Sequence, residues 1–492
     1  MLCLSRSQYC SAVQCPKMLW MKKHMPEQFE DSYASPAIRD RGTDVGRLAM
    51  GLFGEYAEVP FGDCGEMIGK TAELLENGTH VIAEASFSFD GLFCSVDLLI
   101  NHGHRHVEMV GVKSSAKISE FCQHDVAYQY YVLTRSGFTV ESVRLAHVNS
   151  GYVRHGDLDL QRLFSLEDMT DQTRRRQPEV EKRIRFLTEY MTQTSEPEQP
   201  ISEGCFSPYD CGFFGYCGRD LPKPNIFDVR GIQLRAKMEY YKKGIISFED
   251  IERSRILKPD RMLQIACELH NRPPLIDRSA VRSFLGRLSF PLYFLDFESF
   301  QPAVPLYENC SPYDQIVFQY SLHCMESERG ELKHREYLAQ PGEDPRRSVA
   351  ERLCRDIPLN ACTLVYNMSF EKGRIRELAG LYPGLSNHLM NVHDHIVDLM
   401  VPFQKRQYYA RAMQGSHSIK HVLPALFPDD PELDYNNLEG VHNGEEAAAA
   451  FGKMKDLEPE EMEKCRQDLL KYCRLDTLAM VRIWEKLREA VG

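Results

Sequence analysis

No stretch of this 492-residue chain approaches the roughly 18 uncharged residues that a membrane helix requires, so no membrane contact is expected. The N-terminal residues also lack the pattern of an export leader, because Arg6, Lys17, Lys22 and Lys23 interrupt every apolar stretch. A cytoplasmic protein is expected. There is no internal repeat and no low-complexity tract, which leaves out solenoids and compositionally biased tails. Nor is there an excess of positive charge. The net charge of −12 argues weakly against a broad nonspecific grip on nucleic acid, yet it leaves room for a local basic groove.

What is present describes a globular chain of class α/β. Apolar residues make up 43% and charged residues 26%, which excludes a disordered protein. The length calls for two or three domains. Three blocks are visible: residues 1–220 mix helix and strand patterns, 221–288 read as short helices of a connector, and 289–492 form the last domain. Lys242-Lys243-Gly244 and Pro273-Pro274 are the breakers of the connector. A charged helix is predicted from Gln172 to Met191, carrying Arg174, Arg175, Arg176, Lys182, Arg183 and Arg185. Such a run is more often a solvated face than a phosphate contact. Of sixteen cysteines, single ones such as Cys94, Cys267 and Cys354 read as small core residues. The series Cys205-x5-Cys211-x5-Cys217, in an aromatic, glycine-rich loop, is different.

The segment Pro291-Leu-Tyr-Phe-Leu-Asp296-Phe-Glu298-Ser is a buried strand by composition. Side chains alternate along a strand, so Asp296 and Glu298 share a face. Two adjacent carboxylates repel unless a cation or proton lies between them, and a divalent metal is the simplest resolution. Strands are predicted at 315–323 and 332–338, a helix at 345–357, a strand at 363–367, a helix at about 369–380 and a strand at 396–399. On the last helix, near Pro459 to Val491, Asp476 falls on the apolar stripe of Leu469, Cys473, Met480, Ile483 and Leu487. A charge there is costly without a partner, and Tyr472 projects from the same side. Asp398 is a lesser candidate, better suited to capping the next turn. The stretch Gly415-Ser-His-Ser-Ile-Lys420 opens a helix, with amides suited to a phosphate or an ordinary N-cap by Ser416.

This half resembles the DnaQ-type, or DEDD, 3′→5′ exonucleases of the ribonuclease H-like fold. Asp296 and Glu298 match their Asp-x-Glu motif. Asn367-Met-Ser-Phe-Glu371 matches Asn-x-x-x-Asp with Glu in place of Asp, and Tyr472-Cys-Arg-Leu-Asp476 matches Tyr-x-x-x-Asp. The resemblance implies a mixed sheet flanked by helices and a two-metal site. Asp296, Glu298, Glu371 and Asp476 would hold Mg2+ or Mn2+, and Tyr472 would place the attacking water. The implied partner is nucleic acid, as single-stranded DNA or RNA ends.

The first block resembles RecB-type PD-(D/E)XK nucleases, a restriction-endonuclease-like α+β domain, on strands predicted at 81–89, 91–101 and 105–113 and a helix at about 121–136. Asp97 matches the first acid, Lys113 the lysine and Gln129 the helix glutamine, while Glu84 is an outer acid. Gly111 stands where the second acid is expected, and Leu133 where a tyrosine is expected. These departures point to a nuclease-derived fold whose remaining task is to hold nucleic acid. Iron–sulfur nucleases of the RecB, AddB and Cas-four type staple such a domain with one early cysteine and three late ones. That implies Cys15 (with Cys10 as the alternative), Cys205, Cys211 and Cys217 around a 4Fe–4S cluster, with Zn2+ or free thiols as the other readings. The full order of motifs is similar to one bacterial family, domain-of-unknown-function family 2779. Its sharpest strings here are Leu-Asp-Phe-Glu-Ser and Pro-Tyr-Asp-Gln-Ile-Val-Phe-Gln-Tyr-Ser-Leu-His. A metal-dependent nuclease is the expectation, against a nonenzymatic scaffold in which both folds are degenerate.

Overall fold

The chain is α/β, and its computed structural model describes residues 4–30 and 36–492. It divides into two units, Met1–Asp220 with Pro302–Asp314, and Leu221–Gln301 with Gln315–Gly492. Among the described residues, no helix is long and apolar enough to cross a membrane.

The first unit is organised on a mixed sheet. Its strands are β1 (Leu4–Ser5), β2 (Ala57–Glu58), β3 (Val81–Phe89), β4 (Leu92–Gly103), β5 (His106–Lys113), β6 (Thr139–Val148) and β7 (Phe164–Asp168). Strands β2 to β7 lie in sequence order, and β1 pairs in parallel with the start of β4. The β3–β4 hairpin turns on Asp90-Gly91, both at positive φ (46° and 78°), the conformation a two-residue turn needs between right-twisted strands. Helix α1 (Arg6–Gln14) follows β1 directly, and α2 (Glu120–Arg135) crosses between β5 and β6. Ser119 caps α2 by accepting from the Cys122 amide. Val126, Tyr128, Val132 and Leu133 of α2 are fully buried in the same core as Cys94, Val96 and Met109. The basic helix, α3, runs Thr170–Tyr190. Its arginines are largely engaged within the unit: Arg176 with Gln123 and Glu120, Arg183 with Glu179, Arg185 with Glu181.

The second unit begins with the short helices Leu234–Lys242, Phe248–Ser254, Pro259–Leu269 and Arg278–Leu285. Its main sheet comprises β8 (Leu292–Phe300), β9 (Ile316–Met325), β10 (Lys333–Leu338), β11 (Cys362–Val365) and β12 (Ile396–Asp398), in spatial order β10-β9-β8-β11-β12. The first three form an antiparallel meander. Strand β11 then adds in parallel to β8, and β12 in parallel to β11. The intervening helices are α4 (Arg346–Asp356), α5 (Met368–Leu381) and α6 (Pro383–Asp394). Where the sequence predicts one helix before β12, two are found. Pro383 cannot supply an amide to a continuous helix, so it ends α5 and opens α6.

The longer helices that close the unit are α7 (Ile419–Leu426), α8 (Gly444–Met454) and α9 (Pro459–Val491). The expected cap by Ser416 is incorrect. Gln414 and Gly415 both hold positive φ and turn the chain, so α7 starts later, with Ser418 at its N-cap. Ser416 Oγ instead accepts from the Ser418 amide at 3.2 Å. Helix α9 has Pro459 in its first turn with Glu460 and Glu461, favourable at the positive helix end. Leu292 and Phe294 of β8 share a core with Met480, Ile483 and Trp484 of α9. Tyr293, Leu295 and Phe297 face the opposite core, with Val349 and Leu353 of α4. By alternation Asp296 and Glu298 continue the face turned to α9.

Candidate functional site

In the second unit the five residues named from the sequence come from three elements: Asp296 and Glu298 from β8, Glu371 from the first turn of α5, Tyr472 and Asp476 from α9. Four of them, Glu298, Glu371, Tyr472 and Asp476, are buried. A register shift between Val317 and Gln319 on β9 lies directly opposite Glu298, the kind of bulge that re-aims a strand next to a site. The start of α5 is fixed by Asp398, whose carboxylate accepts from the amides of Asn367 (3.0 Å) and Met368 (3.1 Å). It also accepts from Met400 (2.9 Å) in its own turn. Asp398 therefore has the expected capping role and, beyond it, sets where Glu371 sits. Asn367 holds φ 78° to let the chain enter the helix there.

The electrostatics are those of crowded acids. Asp296 is held well above the usual carboxylate range by burial, then by the charges of Asp476, Glu298 and Glu371. Glu298 is raised by burial and Asp476, with Lys420 pulling it back. Burial pushes Glu371 up to about 8. Burial also pushes Asp476 up to about 6, against a hydrogen bond from Tyr435 and the charge of Lys420. Tyr435 donates to Asp476 Oδ1 at 2.6 Å, while Asp476 Oδ2 and Glu371 Oε2 are buried without a hydrogen-bond partner. Burying an ionised carboxylate costs several kcal/mol unless a cation offsets it. Tyr472 shares the field, and burial with Asp476 raises its phenol.

This arrangement fits a hard divalent cation: the donors are carboxylates, and two oxygens lack any partner. Asp296, Glu298 and Cys473 each offer a ligand atom, all within 4.8 Å of one another. A cavity of about 540 Å3 opens beside Glu298, lined by Phe297, Ser299, Phe370, Lys420, Asn443 and Gly444 among others. Three contributors are not apparent from the sequence motifs. Tyr435 opens a single 3-10 turn, Tyr435–Asn437, that carries no motif pointing to the site. Lys420 stands in a string whose chemistry reads through its amides, and Cys473, inside the Tyr-x-x-x-Asp motif, reads as part of the apolar stripe.

In the first unit, Asp97, Lys113 and Gln129 also converge, around two residues that lie outside the sequence motifs. Asp125 accepts from Lys113 Nζ (2.6 Å), Gln129 Nε2 (2.9 Å), Arg6 Nε (2.6 Å) and Arg6 Nη2 (2.9 Å). Arg6 Nη1 donates to Asp97 Oδ1 at 2.8 Å, and the Val112 amide donates to Asp97 Oδ2 at 2.6 Å. Burial opposes charge on Asp125, but Arg6 and Lys113 outweigh it and hold the carboxyl well below the usual range. Burial likewise works against the charges of Arg6 and Lys113, which the acids nonetheless keep above their ordinary values. Glu84 is half-buried, holds φ 57° within β3, and is pushed up to about 7 by burial and Asp97.

A side chain at Gly111 would meet Leu145 Cδ2 at 2.8 Å and Val126 Cγ1 at 3.1 Å, so an acid there would have to displace buried core side chains. Glu108 is engaged elsewhere, with Arg144, His102 and Ser142. Leu133, at the expected tyrosine position, is core. Asp125 is legible in principle, four residues before Gln129 on one helix face. Arg6 is not, because nothing in β1 or α1 signals a contact 91 and 119 positions away.

Cys15, Cys205, Cys211 and Cys217 line one small cavity with Met18, Met21 and Phe213. Cys10 does not line it; it is buried in the main core of the unit. Burial raises the thiols of Cys205 and Cys217, and pushes Cys211 up to about 11. The described cysteines are free of disulfides.

A family model described as domain of unknown function (DUF2779) matches residues 293–418. The chain is 26% identical over 231 residues to the uncharacterized protein UU173 of Ureaplasma parvum serovar 3, covering 42% of this chain and 32% of that protein. It is 27% identical over 222 residues to the uncharacterized protein MG366 homolog of Mycoplasma pneumoniae, covering 41% and 33% respectively. Uncharacterized protein MG366 of Mycoplasma genitalium is 25% identical over 206 residues, with 39% and 31% covered. The matches thus span about a third of the length of these relatives. No solved structure matches the chain.

Proposed function

We propose that the second unit is a metal-dependent phosphodiester hydrolase, a 3′→5′ exonuclease acting on single-stranded DNA or RNA ends. The observation that carries this reading is Asp296 crowded by the charges of Asp476, Glu298 and Glu371, two of which have an orphaned buried oxygen, on β8, α5 and α9. The strand order, a three-strand meander extended in parallel on the side of its first strand, supports the ribonuclease H-like resemblance.

Asp296, Glu298, Glu371 and Asp476 would hold Mg2+ or Mn2+, which supplies charge neutralisation at phosphorus and activation of water. The chain's own groups do the rest. Tyr472 presents a phenol that burial and Asp476 keep protonated, suited to hydrogen-bond and orient a water. Tyr435 holds one oxygen of Asp476 in place, leaving the other free to bind. Lys420, on the wall of the cavity beside Glu298, is suited to a substrate phosphate, and Phe370 offers an aromatic face to a base.

For the first unit we propose nucleic-acid binding on a domain stapled by a 4Fe–4S cluster at Cys15, Cys205, Cys211 and Cys217. Four thiolates suit such a cluster. Among the described residues, no three of these sulfurs lie within 4.8 Å of one another. That is wider than the roughly 3.8 Å sulfur spacing of a tetrahedral zinc site with 2.3 Å bonds. The nonenzymatic alternative is favoured for this unit alone, because Arg6 occupies the space between Asp97 and Asp125 and Gly111 supplies no ligand.

The test is incubation of 5′-end-labelled single-stranded DNA and RNA with protein freshly loaded with Mn2+ or Mg2+. A ladder shortening by single nucleotides from the 3′ end is expected for at least one strand type. Intact strands of both types would contradict the hydrolase.

A further inference from the structure

We infer that Cys473 is a sulfur ligand of the acid centre and gives it a preference for Zn2+ and Cd2+ over Mg2+. This rests on the reading that a divalent ion occupies the acids, and not on the reaction it serves.

Cys473 precedes Asp476 by three on α9, which makes their side chains neighbours on the helix surface. It is fully buried, yet it is not part of the apolar core that Phe294 of β8 and Met480 of α9 share. Its Sγ lies 3.9 Å from Asp296 Oδ2 and 4.0 Å from the Asp296 carbonyl oxygen. For an S–H donor these are long contacts. For two ligands of one ion, the spacing to Oδ2 is within a few tenths of an ångström of the size required. A tetrahedral ion with one bond of about 2.3 Å to sulfur and another of about 2.1 Å to oxygen separates the two atoms by roughly 3.6 Å. The third ligand atom, from Glu298, completes a group within 4.8 Å, and Asp476, whose charge acts on Asp296 and whose nine-tenths-buried side chain leaves Oδ2 without a partner, is a further donor outside that group.

Sulfur is the soft member of this set. Thiolate favours Zn2+ and Cd2+ and offers little to Mg2+, so the sulfur shifts the preference of an otherwise hard site. Binding is a proton exchange without redox: the Cys473 thiol releases its proton to solvent as the Sγ–metal bond forms.

The test uses full-length, metal-stripped protein titrated with 113Cd2+ and observed by NMR. Two resonances are expected, a thiolate-rich one from Cys15, Cys205, Cys211 and Cys217, and an upfield one from the oxygen-rich centre. Cys473→Ser is nearly isosteric, and circular dichroism checks its fold. It should move or remove the upfield resonance only, and weaken Zn2+ binding roughly 10- to 100-fold while leaving Mn2+ binding little changed. Cys473→Ala should do the same and removes any donation by the serine hydroxyl. An upfield resonance unchanged in both variants, or none in the wild type, overturns the inference. Cd2+ on Cys473 with no strand shortening keeps the sulfur ligand and discards the hydrolase; strand shortening without that resonance does the reverse.

Discussion

Arg6 reaches across 119 positions to grip Asp125 through two nitrogens while its third holds Asp97, so the acid cluster of the first unit contains its own counter-cation. A guanidinium cannot leave as a metal ion can. Removing it strands two carboxylates, one of them almost fully buried, with only Lys113 to answer them. Arg6→Met is expected to destabilise the first unit by about 3–5 kcal/mol. Arg6→Lys, which keeps charge but not the fork, should fall between. Urea denaturation measures both, and an unchanged midpoint for Arg6→Met would show that the grip contributes nothing.

The centre in the second unit behaves in the opposite sense. Its carboxyls have folded-state values above their unfolded ones, with Glu371 near 8 and Asp476 near 6. The folded protein therefore holds more protons than the unfolded chain between roughly pH 4 and 8. Each extra proton costs the folded state about 1.4 kcal/mol for every pH unit climbed within that window. Stability that these groups contribute below pH 4 is lost as pH rises through the folded values. Chelator-treated protein should melt at progressively lower temperature from pH 5 to pH 8. Added Mn2+ should restore the loss, most strongly at pH 8, whereas a metal-free melting temperature that rises across this range would contradict the acid crowding.

Much of this centre is legible in the sequence. The strand with Asp296 and Glu298, the long helix with Tyr472 and Asp476, and the meander order all follow from alternation and periodicity, which are local properties. What stays hidden is set by chain reversal. Tyr435 meets Asp476 from a 3-10 turn 41 residues earlier, and Lys420 reaches the cavity from a helix that starts later than its sequence suggests. In the first unit, motif spacing is enough to identify Asp97, Lys113 and Gln129. It does not reach Arg6, because a lone arginine in the first turn of a helix looks like a solvated one.

Tyr435 offers a direct check on this long-range geometry. Its hydrogen bond stabilises the charged form of Asp476, so Tyr435→Phe raises that carboxyl further and increases competition from protons. Mn2+ affinity, followed by electron paramagnetic resonance, should fall roughly tenfold or more at pH 6 and less at pH 8. Equal losses at both values would mean that the hydroxyl does not act through Asp476.

The cysteine cavity has an optical test. Protein purified without oxygen should be brown and contain about four irons per chain, as a 4Fe–4S cluster requires. Cys211→Ser should bleach it and lower the melting temperature of the first unit. A colourless anaerobic preparation carrying stoichiometric zinc would replace the cluster with a zinc site.

The most direct measurement compares wild type, Asp296→Ala and Lys113→Ala on the same end-labelled strands in Mn2+. Shortening by wild type and Lys113→Ala, with a loss of at least about a hundredfold in Asp296→Ala, is the expected result, because under the proposed function Asp296 holds the metal on which transition-state charge depends. Equal activity in wild type and Asp296→Ala, or activity lost only in Lys113→Ala, would place the chemistry outside the acid centre of β8 and α9.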